Sequence, residues 1–249
     1  MAVITISRGS YSMGREIAER VAKRLNYQCI SHEILLEASD RFNIPEIKLE
    51  KNLWEIPSFI DKLTHEEVHY VFFVQSRLVK HVAEDNIVYH GFGGHLFLKK
   101  VPHILKVRIS ADIQRRIAVL AKREKVNEAK ALSMIKKMDT QRRKWTKRLY
   151  GKDPCDPMLY DLMIKIHKYD IDDAVDLICR SVSLDHFKIT AESKKSMDDL
   201  ALACKFKTAL FESYPDIFVA SEYGNILIYS NKSEYHVRKI KEMANSITG

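Results

Sequence analysis

The chain has 249 residues, of which 46% are hydrophobic and 30% are charged, as is typical of globular proteins in water. No apolar run approaches the roughly 20 residues that a membrane span requires, and the N-terminus shows no signal-peptide pattern, so we expect a cytoplasmic protein with no membrane span. The four cysteines lack C-x-x-C spacing, which argues against a disulfide framework or a cysteine zinc site.

The formal net charge of +8 is concentrated in one segment. Residues 115–152 carry fourteen Lys and Arg against three Asp and Glu, so the rest of the chain is net negative by three. A helical segment of this charge suits a lid over polyphosphate, because its cations offset the charge that develops on a transferred phosphoryl group. A groove for a nucleic-acid backbone and a solvated helix face are the alternatives, and we disfavour nucleic acid as the partner.

The first elements of the chain predict a strand, a phosphate-binding loop and a helix. Alternating β-branched residues over Ala2–Ile6 are typical of a buried strand, and apolar residues recur at helical spacing directly after Gly14. The residues between them have the spacing of the nucleotide-binding loop G-x-x-x-x-G-K-[ST], with Arg15 in place of the lysine and Glu16 in place of the magnesium-binding hydroxyl. The backbone N–H groups of such a loop and the helix dipole favour phosphate. An ordinary β-to-α turn is the alternative.

A long amphipathic helix is predicted next, and it begins with His65-Glu66-Glu67-Val68-His69. This sequence matches H-E-x-x-H, which places two imidazoles on one helical face for zinc. Thr64 and Glu67 also form a capping box, which accounts for the same residues by helix capping alone. We therefore predict no metal site here.

Further strands are predicted at Asn86–His90, Ile104–Ile109 and Tyr160–Ile166, with a helix over Asp172–Val182. Strands that alternate with helices predict an α/β fold with a mostly parallel sheet and with ligands at the carboxyl ends of its strands. Together with the loop, this pattern predicts a P-loop NTPase-type three-layer α/β/α architecture.

Several short motifs recur together in the first 182 residues. They are Ile6-Ser7-Arg8, Gly14-Arg15-Glu16-Ile17, Asp139-x-x-Arg142, Gly151-Lys152-Asp153 and Asp156-Pro157-x-x-Tyr160-Asp161-Leu162. As a set they resemble the cytidylate-kinase-like family of P-loop kinases. The resemblance implies transfer of the γ-phosphoryl group of ATP, with Mg²⁺, to a nucleoside monophosphate such as CMP or to a related small acceptor.

The resemblance also implies roles for individual residues. The implied catalytic residues are Arg15, Arg116, Asp139 and Arg142. The implied ATP-binding residues are Gly9, Ser10, Tyr11, Ser12, Met13, Gly14, Arg15 and Glu16. The implied acceptor-binding residues are Ser31, Glu33, Gly91 and Phe92.

Some of these positions depart from the family pattern. Tyr11 and Met13 stand where the loop usually has glycine, and we expect them to crowd the approach of phosphate to the backbone. Phe92 stands where an arginine is expected. Such losses cost on the order of several kcal/mol of transition-state stabilisation. The alternative function is therefore a catalytically weakened nucleotide-binding regulatory protein that signals through its C-terminal module.

The pattern changes after the kinase-like residues 1–182, which include the basic lid at about 115–152. Residues 183–190 are predicted to be a linker and residues 191–249 a small α+β domain. A helix, a hairpin around Gly224-Asn225 and a last helix are predicted there. This order weakly resembles a BON domain that is incomplete at its end. An appendage that buries an edge of the kinase core or forms a homodimer is the alternative.

Overall fold

The computed structural model describes residues 2–31, 65–91, 93–215, 217–230 and 233–247. Its strands are β1 (Val3–Arg8), β2 (Gln28–Ile30), β3 (Ile87–His90), β4 (Ile104–Ala111), β5 (Leu162–Ile166), β6 (Phe218–Glu222) and β7 (Asn225–Tyr229). Its α-helices are α1 (Gly14–Leu25), α2 (His65–Val82), α3 (Gly94–Phe97), α4 (Ile113–Glu124), α5 (Glu128–Tyr150), α6 (Ile171–Val182), α7 (Ala191–Leu210) and α8 (Glu234–Ser246).

Five parallel strands form the central sheet in the order β2-β3-β1-β4-β5. β1 lies in the middle, with β3 and β4 on opposite sides of it. The carboxyl end of β1 is therefore the point where the strand order reverses, which is where open α/β sheets bind ligands. The predicted α/β fold with a mostly parallel sheet is confirmed, and the predicted strands all lie in this sheet or in the hairpin of β6 and β7.

Helices cover both faces of the sheet, as a parallel sheet requires. On one face, Ile4 of β1 and Val107 of β4 pack with the apolar sides of α1 and α6. On the other face, Val3 and Ile104 pack with α2, α3 and the first half of α7. Successive strand residues thus alternate between two separate cores, because side chains of a strand point to opposite faces.

The basic segment forms two helices instead of one. α4 begins after Asp112, whose side chain accepts a hydrogen bond from the Gln114 N–H, and ends at Lys125 in the left-handed conformation with φ of 53°. α5 begins after Asn127, whose side chain caps it in the same manner. The two helices pack through a small buried cluster of Ile117, Leu120, Ala131 and Ile135. The predicted lid is therefore a helical hairpin with its own core.

The C-terminal elements follow the predicted order of helix, hairpin and helix. α7 contributes Met197 to the core beneath the sheet, and its last residue, Leu210, joins a smaller cluster with the hairpin and α8. The buried Lys207 ties these parts together, since its ammonium donates hydrogen bonds to the carbonyls of Pro215 and Ile217. The resemblance to a BON domain and the boundaries of this region stay predictions.

In the described part of the chain, no helix combines the length and the apolar character needed to cross a membrane. The His, Cys, Asp and Glu side chains of the same part form no group of three or more that could hold a metal ion. The side chains of the H-E-x-x-H motif at residues 65–69 lie outside the described part, as does Thr64.

Candidate functional site

The loop between β1 and α1 lies at the carboxyl end of the central strand. The Gly9 N–H donates to the Ile109 carbonyl over 3.0 Å, and the Ser12 hydroxyl reaches the carbonyls of Gly9 and Ile109 at 2.9 and 3.1 Å. Ser12 therefore closes the loop and ties it to β4. The Ser10 hydroxyl is buried and has no partner among the described residues, which fits a loop whose polar groups bind an anion.

Tyr11 and Met13 both adopt the left-handed backbone conformation, with φ of 57° and 61°. This conformation costs a residue other than glycine roughly 1–2 kcal/mol. The Tyr11 side chain packs against the core of the α4–α5 hairpin, and Met13 packs against the core beneath α1. Neither side chain lines the cavity beside the loop. The expected crowding of the phosphate approach stays a prediction, because residues 10–14 of the loop do not themselves line this cavity.

Gly14 stands where the first turn of α1 lies directly against β1. A Cβ atom at this position would lie 2.7 Å from the Cβ of Arg8 and 3.2 Å from its Cδ. Only glycine allows this approach without displacing Arg8. The N–H groups of a first helical turn have no partners within the helix, so they and the helix dipole favour an anion here.

A cavity of about 940 Å³ opens beside this loop. Its charged lining residues among those described are Arg8, Arg15, Arg108, Arg116, Arg142, Arg143, Glu19 and Asp139. Six guanidinium groups thus face two carboxylates, an excess of four positive charges. Arginines bind phosphate and carboxylate through paired hydrogen bonds, so this lining is suited to a polyanion such as a polyphosphate.

The four residues predicted as catalytic all line this cavity; they are Arg15, Arg116, Asp139 and Arg142. Arg116 donates to the Ser10 carbonyl over 2.7 Å and pairs with Asp139 at 2.6 Å. Asp139 in turn accepts the Ser10 N–H at 3.3 Å, and Arg142 donates to the Arg8 carbonyl over 2.7 Å. These hydrogen bonds join the α4–α5 hairpin to the loop that follows β1.

Burial and neighbouring positive charges lower the pKa of two guanidinium groups in the cavity. Burial and, after it, the charge of Arg8 lower the pKa of Arg142 to about 9. Burial and the charge of Arg15 likewise lower the pKa of Arg8. A bound anion opposes both effects, because it stabilises the charged form of each group. The site is therefore electrostatically matched to an anionic ligand.

Arg15 and Glu16 make ion pairs on the surface of α1. Arg15, with 71% of its side chain exposed, pairs with Glu19 at 2.8 Å, and Glu16 pairs with Arg20 at 2.6 Å. Glu16 does not line the cavity. The two described carboxylates that do line it, those of Glu19 and Asp139, are both paired with arginines. The described residues thus fit a polyphosphate, but they direct no uncommitted carboxylate at a magnesium ion.

Two of the predicted acceptor-binding residues, Ser31 and Gly91, line the same cavity. They follow β2 and β3, so the carboxyl ends of neighbouring parallel strands bring them together. Glu33 and Phe92 lie outside the described residues.

A polar cluster around Tyr160 forms another wall of the cavity, and none of its members was a predicted site residue. The Tyr160 hydroxyl donates to the Pro154 carbonyl over 2.8 Å. It also lies 3.2 Å from His95 Nε2, 3.3 Å from Ser7 Oγ and 3.3 Å from a guanidinium nitrogen of Arg108. Burial lowers the pKa of His95 to about 3, so this imidazole is neutral at physiological pH.

One sequence signal for this wall lies in β4. Lys106, Arg108 and Ser110 alternate there with apolar residues. A strand inside a parallel sheet is normally apolar on both faces, so polar residues at every second position indicate a face that borders a site. The sequence prediction used this segment only as a strand and therefore missed Arg108.

The family model described as cytidylate kinase-like matches residues 3–168. The chain belongs to the cytidylate kinase-like family. Membership of this family supports phosphoryl transfer and nucleotide binding as the general chemistry of the chain. A comparison with proteins of curated function found no match.

Solved structures resemble the chain at low sequence identity. An uncharacterized protein from Eubacterium ventriosum is 24% identical, with a TM-score of 0.57, over 73% of this chain and 98% of that one. This similarity bears on the fold alone. Shikimate kinase from Bacteroides thetaiotaomicron is 13% identical, with a TM-score of 0.47, over 74% of this chain and 99% of that one. Shikimate kinase from Acinetobacter baumannii, in complex with shikimate, is 12% identical, with a TM-score of 0.40, over 73% of this chain and 93% of that one.

Proposed function

We propose that this protein transfers the γ-phosphoryl group of ATP to a nucleoside monophosphate, with CMP as the first candidate, or to a related small acceptor. The observation that carries the proposal is the arginine-rich cavity at the carboxyl end of β1, between the phosphate loop and the α4–α5 hairpin. Family membership supports the general reaction. The choice of CMP rests on the resemblance of the sequence motifs.

In this proposal the loop after β1 and the α4–α5 hairpin contact the donor phosphates from opposite sides. The N–H groups at the start of α1 and the guanidinium of Arg15 bind the donor phosphates. Arg116 and Arg142 neutralise charge on the transferred group from the other side, as phosphoryl transfer requires. Asp139 positions Arg116 through their 2.6 Å ion pair. Mg²⁺ would supply charge neutralisation on the phosphates, and the nucleotide itself would hold it, because Glu19 and Asp139 are committed to arginines.

The acceptor binds beyond the donor phosphates in this arrangement. Ser31 and Gly91, at the ends of β2 and β3, form part of its site, and Glu33 and Phe92 complete the proposed set. Holding the acceptor oxygen in line with the γ-phosphoryl group supplies much of the catalysis, because little covalent chemistry falls to the protein.

The direct test is a panel of nucleoside monophosphates incubated with Mg-ATP, with ADP release and the phosphorylated acceptor both measured. We expect turnover with at least one acceptor and a loss of about 100-fold in kcat/KM for Arg15→Ala. Arg24→Ala is the matched control, because Arg24 lies on the same helix, pairs with Asp176 and does not line the cavity. ATP binding without turnover on any acceptor would contradict the proposal.

That outcome would favour the alternative, a nucleotide-binding regulatory protein with weakened turnover. The observation in its favour is that Glu16, at the position of the magnesium-binding hydroxyl, is paired with Arg20. The weakly BON-like C-terminal region would then be the module that transmits the nucleotide state. A cytoplasmic location and a homodimer belong to both versions as predictions.

A further inference from the structure

Arg108 differs from Arg15, Arg116 and Arg143 of the cavity in its partners. Within the described part of the chain it donates only to neutral groups, namely Ser7 Oγ at 3.1 Å, Tyr160 Oη at 3.3 Å and Cys155 Sγ at 3.7 Å. Arg116 and Arg143, in contrast, pair with carboxylates. The positive charge of Arg108 is therefore held in place without being compensated by these neighbours.

The neutral partners fix the direction of the guanidinium group. The Tyr160 hydroxyl gives its single proton to the Pro154 carbonyl over 2.8 Å, so it receives the Arg108 N–H through a lone pair. The guanidinium carbon also lies 5.6 Å from the centre of the Tyr160 ring, within the range of a cation–π contact. Arg108 is thus preorganised by groups that do not neutralise it.

His95 is a second neighbour of the Tyr160 hydroxyl and also lines the cavity. Its ring centre lies 4.7 Å from that of Tyr160, and its Nε2 lies 3.2 Å from the hydroxyl. Burial, together with the charges of Arg108 and Lys106, lowers the pKa of His95 to about 3. A neutral imidazole holds Tyr160 without adding a second positive charge to this wall of the cavity.

The position of Arg108 separates it from the loop arginines. In the strand register Arg108 lies beside Ser7 of β1 and Met163 of β5. Its remaining contacts come from Cys155 and Tyr160, which belong to the segment after α5. Arg116 and Arg142 instead hold the backbone carbonyls of Ser10 and Arg8. The wall formed by β4 and residues 154–160 is thus distinct from the phosphate loop.

We propose that Arg108 binds an oxyanion of the phosphoryl acceptor, so that the acceptor is itself a phosphate- or carboxylate-bearing molecule. That the bound anion is the phosphoryl acceptor rests on the function proposed above, whereas the oxyanion site itself is inferred from the geometry of Arg108. The planar guanidinium, fixed by Ser7 and Tyr160, presents its outer N–H groups to two oxygens of one anion. Arg108 is then a residue that determines specificity for charged over neutral acceptors.

The test is calorimetric titration of the full chain with the phosphate loop saturated by Mg-ADP. The probes are CMP, cytidine, orthophosphate and malate. We expect CMP to bind at least 10-fold more tightly than cytidine, and Arg108→Met to weaken CMP binding about 10- to 100-fold. The ADP dissociation constant should change less than twofold. Orthophosphate and malate distinguish phosphate from carboxylate as the recognised group.

Three further variants keep the test decisive. Arg108→Lys retains the charge but loses the paired hydrogen bonds, and Tyr160→Phe retains Arg108 but loses the hydroxyl that holds it, so both should weaken CMP binding several-fold. Arg115→Met, at an exposed cation of α4 outside the cavity, is the matched control. The inference is overturned if no probe binds, or if CMP binds Arg108→Met within twofold of its affinity for the unaltered chain. Anion binding that depends on Arg108 without any phosphorylated product would instead reject the proposed function and leave the oxyanion site standing.

Discussion

The two faces of the central sheet differ most clearly along β4. Leu105, Val107 and Ile109 point to one face, where α1 and α6 cover them completely. Lys106 and Arg108 point to the other face, where Lys106 pairs with Asp161 and Arg108 borders the cavity. Two helices thus cover one face of this strand along its length, whereas the other face opens into the site near its carboxyl end.

The largest effect on the free energy of unfolding is expected from a charge placed on the covered face. Val107 is fully buried, so we expect Val107→Lys to lower the free energy of unfolding by about 4 kcal/mol or more, because its ammonium would be buried without a partner. Arg108→Met, one residue further, should change it by about 1 kcal/mol or less, because Arg108 is half-buried and bonded to neutral groups. Urea unfolding of the two variants measures the difference, and equal losses would contradict the contrast.

A smaller effect is expected where the covered face ends, at Arg8. Gly14→Ala places a Cβ 2.7 Å from the Arg8 Cβ, and we expect this overpacking to cost about 1–3 kcal/mol and to weaken ATP binding. Gly9→Ala is the matched control for stability in the same loop, since its nearest neighbour would lie 3.9 Å away. Thermal unfolding should separate the two variants, and ATP titration of Gly14→Ala against the unaltered chain measures the loss of binding. A neutral Gly14→Ala would show that the close contact with Arg8 is not needed.

The polar face also predicts a dependence of stability on pH. The pKa of His95 is lowered to about 3 in the folded chain from its ordinary 6.5, so between these values unfolding takes up a proton. The free energy of unfolding should therefore fall as the pH drops below about 6.5 and level off near 3, by at most about 1.4 kcal/mol per pH unit from this group.

Urea unfolding of the unaltered chain and of His95→Gln at pH 7, 6 and 5 tests this expectation. The variant cannot take up the proton, so its stability should fall less steeply with pH. His186→Gln, at an exposed histidine, is the control and should retain the full slope. If His95→Gln follows the slope of the unaltered chain, His95 is not the source of this dependence.

The smallest effect is expected outside the sheet, in the α4–α5 hairpin. Lys125 is exposed and left-handed with φ of 53°, so Lys125→Gly should stabilise the chain by about 0.4–1 kcal/mol. Lys137→Gly makes the same chemical change at an exposed position inside α5, where we expect a loss of about 1 kcal/mol. Thermal unfolding that shifts in opposite directions would confirm the turn, and parallel shifts would contradict it.

Much of the fold could be predicted because its elements carry strong local patterns. β1, β3 and β5 are mostly apolar, β4 alternates apolar with polar residues, and all four appear within a few residues of their predicted bounds. β2 spans only Gln28–Ile30, which is too short to show a period, and it was missed. The break at Lys125 was missed as well, because lysine is a good helix former and its left-handed conformation is imposed by the packing of α4 on α5.

In the candidate site, too, some residues could be predicted from local patterns and others could not. The loop spacing and the family motifs predicted Arg15, Arg116, Asp139 and Arg142, which meet in one cavity although they are separated by up to 127 positions in the chain. Ser7 and Tyr160 stand in the family motifs, but Arg108 does not, and the relation of the three residues depends on which strands are neighbours and on which face each side chain points to.

By itself, the sequence determined four of the five strands of the central sheet, the phosphate-loop spacing after β1 and the concentration of charge in residues 115–152. These are local properties, since backbone periodicity and charge can be read from neighbouring residues. Tertiary structure alone decided that Tyr11 and Met13 pack away from the loop and that Arg108 faces the cavity with neutral partners. The reason is that burial and hydrogen bonding at these positions depend on residues far away in the chain, which only the packed sheet and helices bring within contact distance.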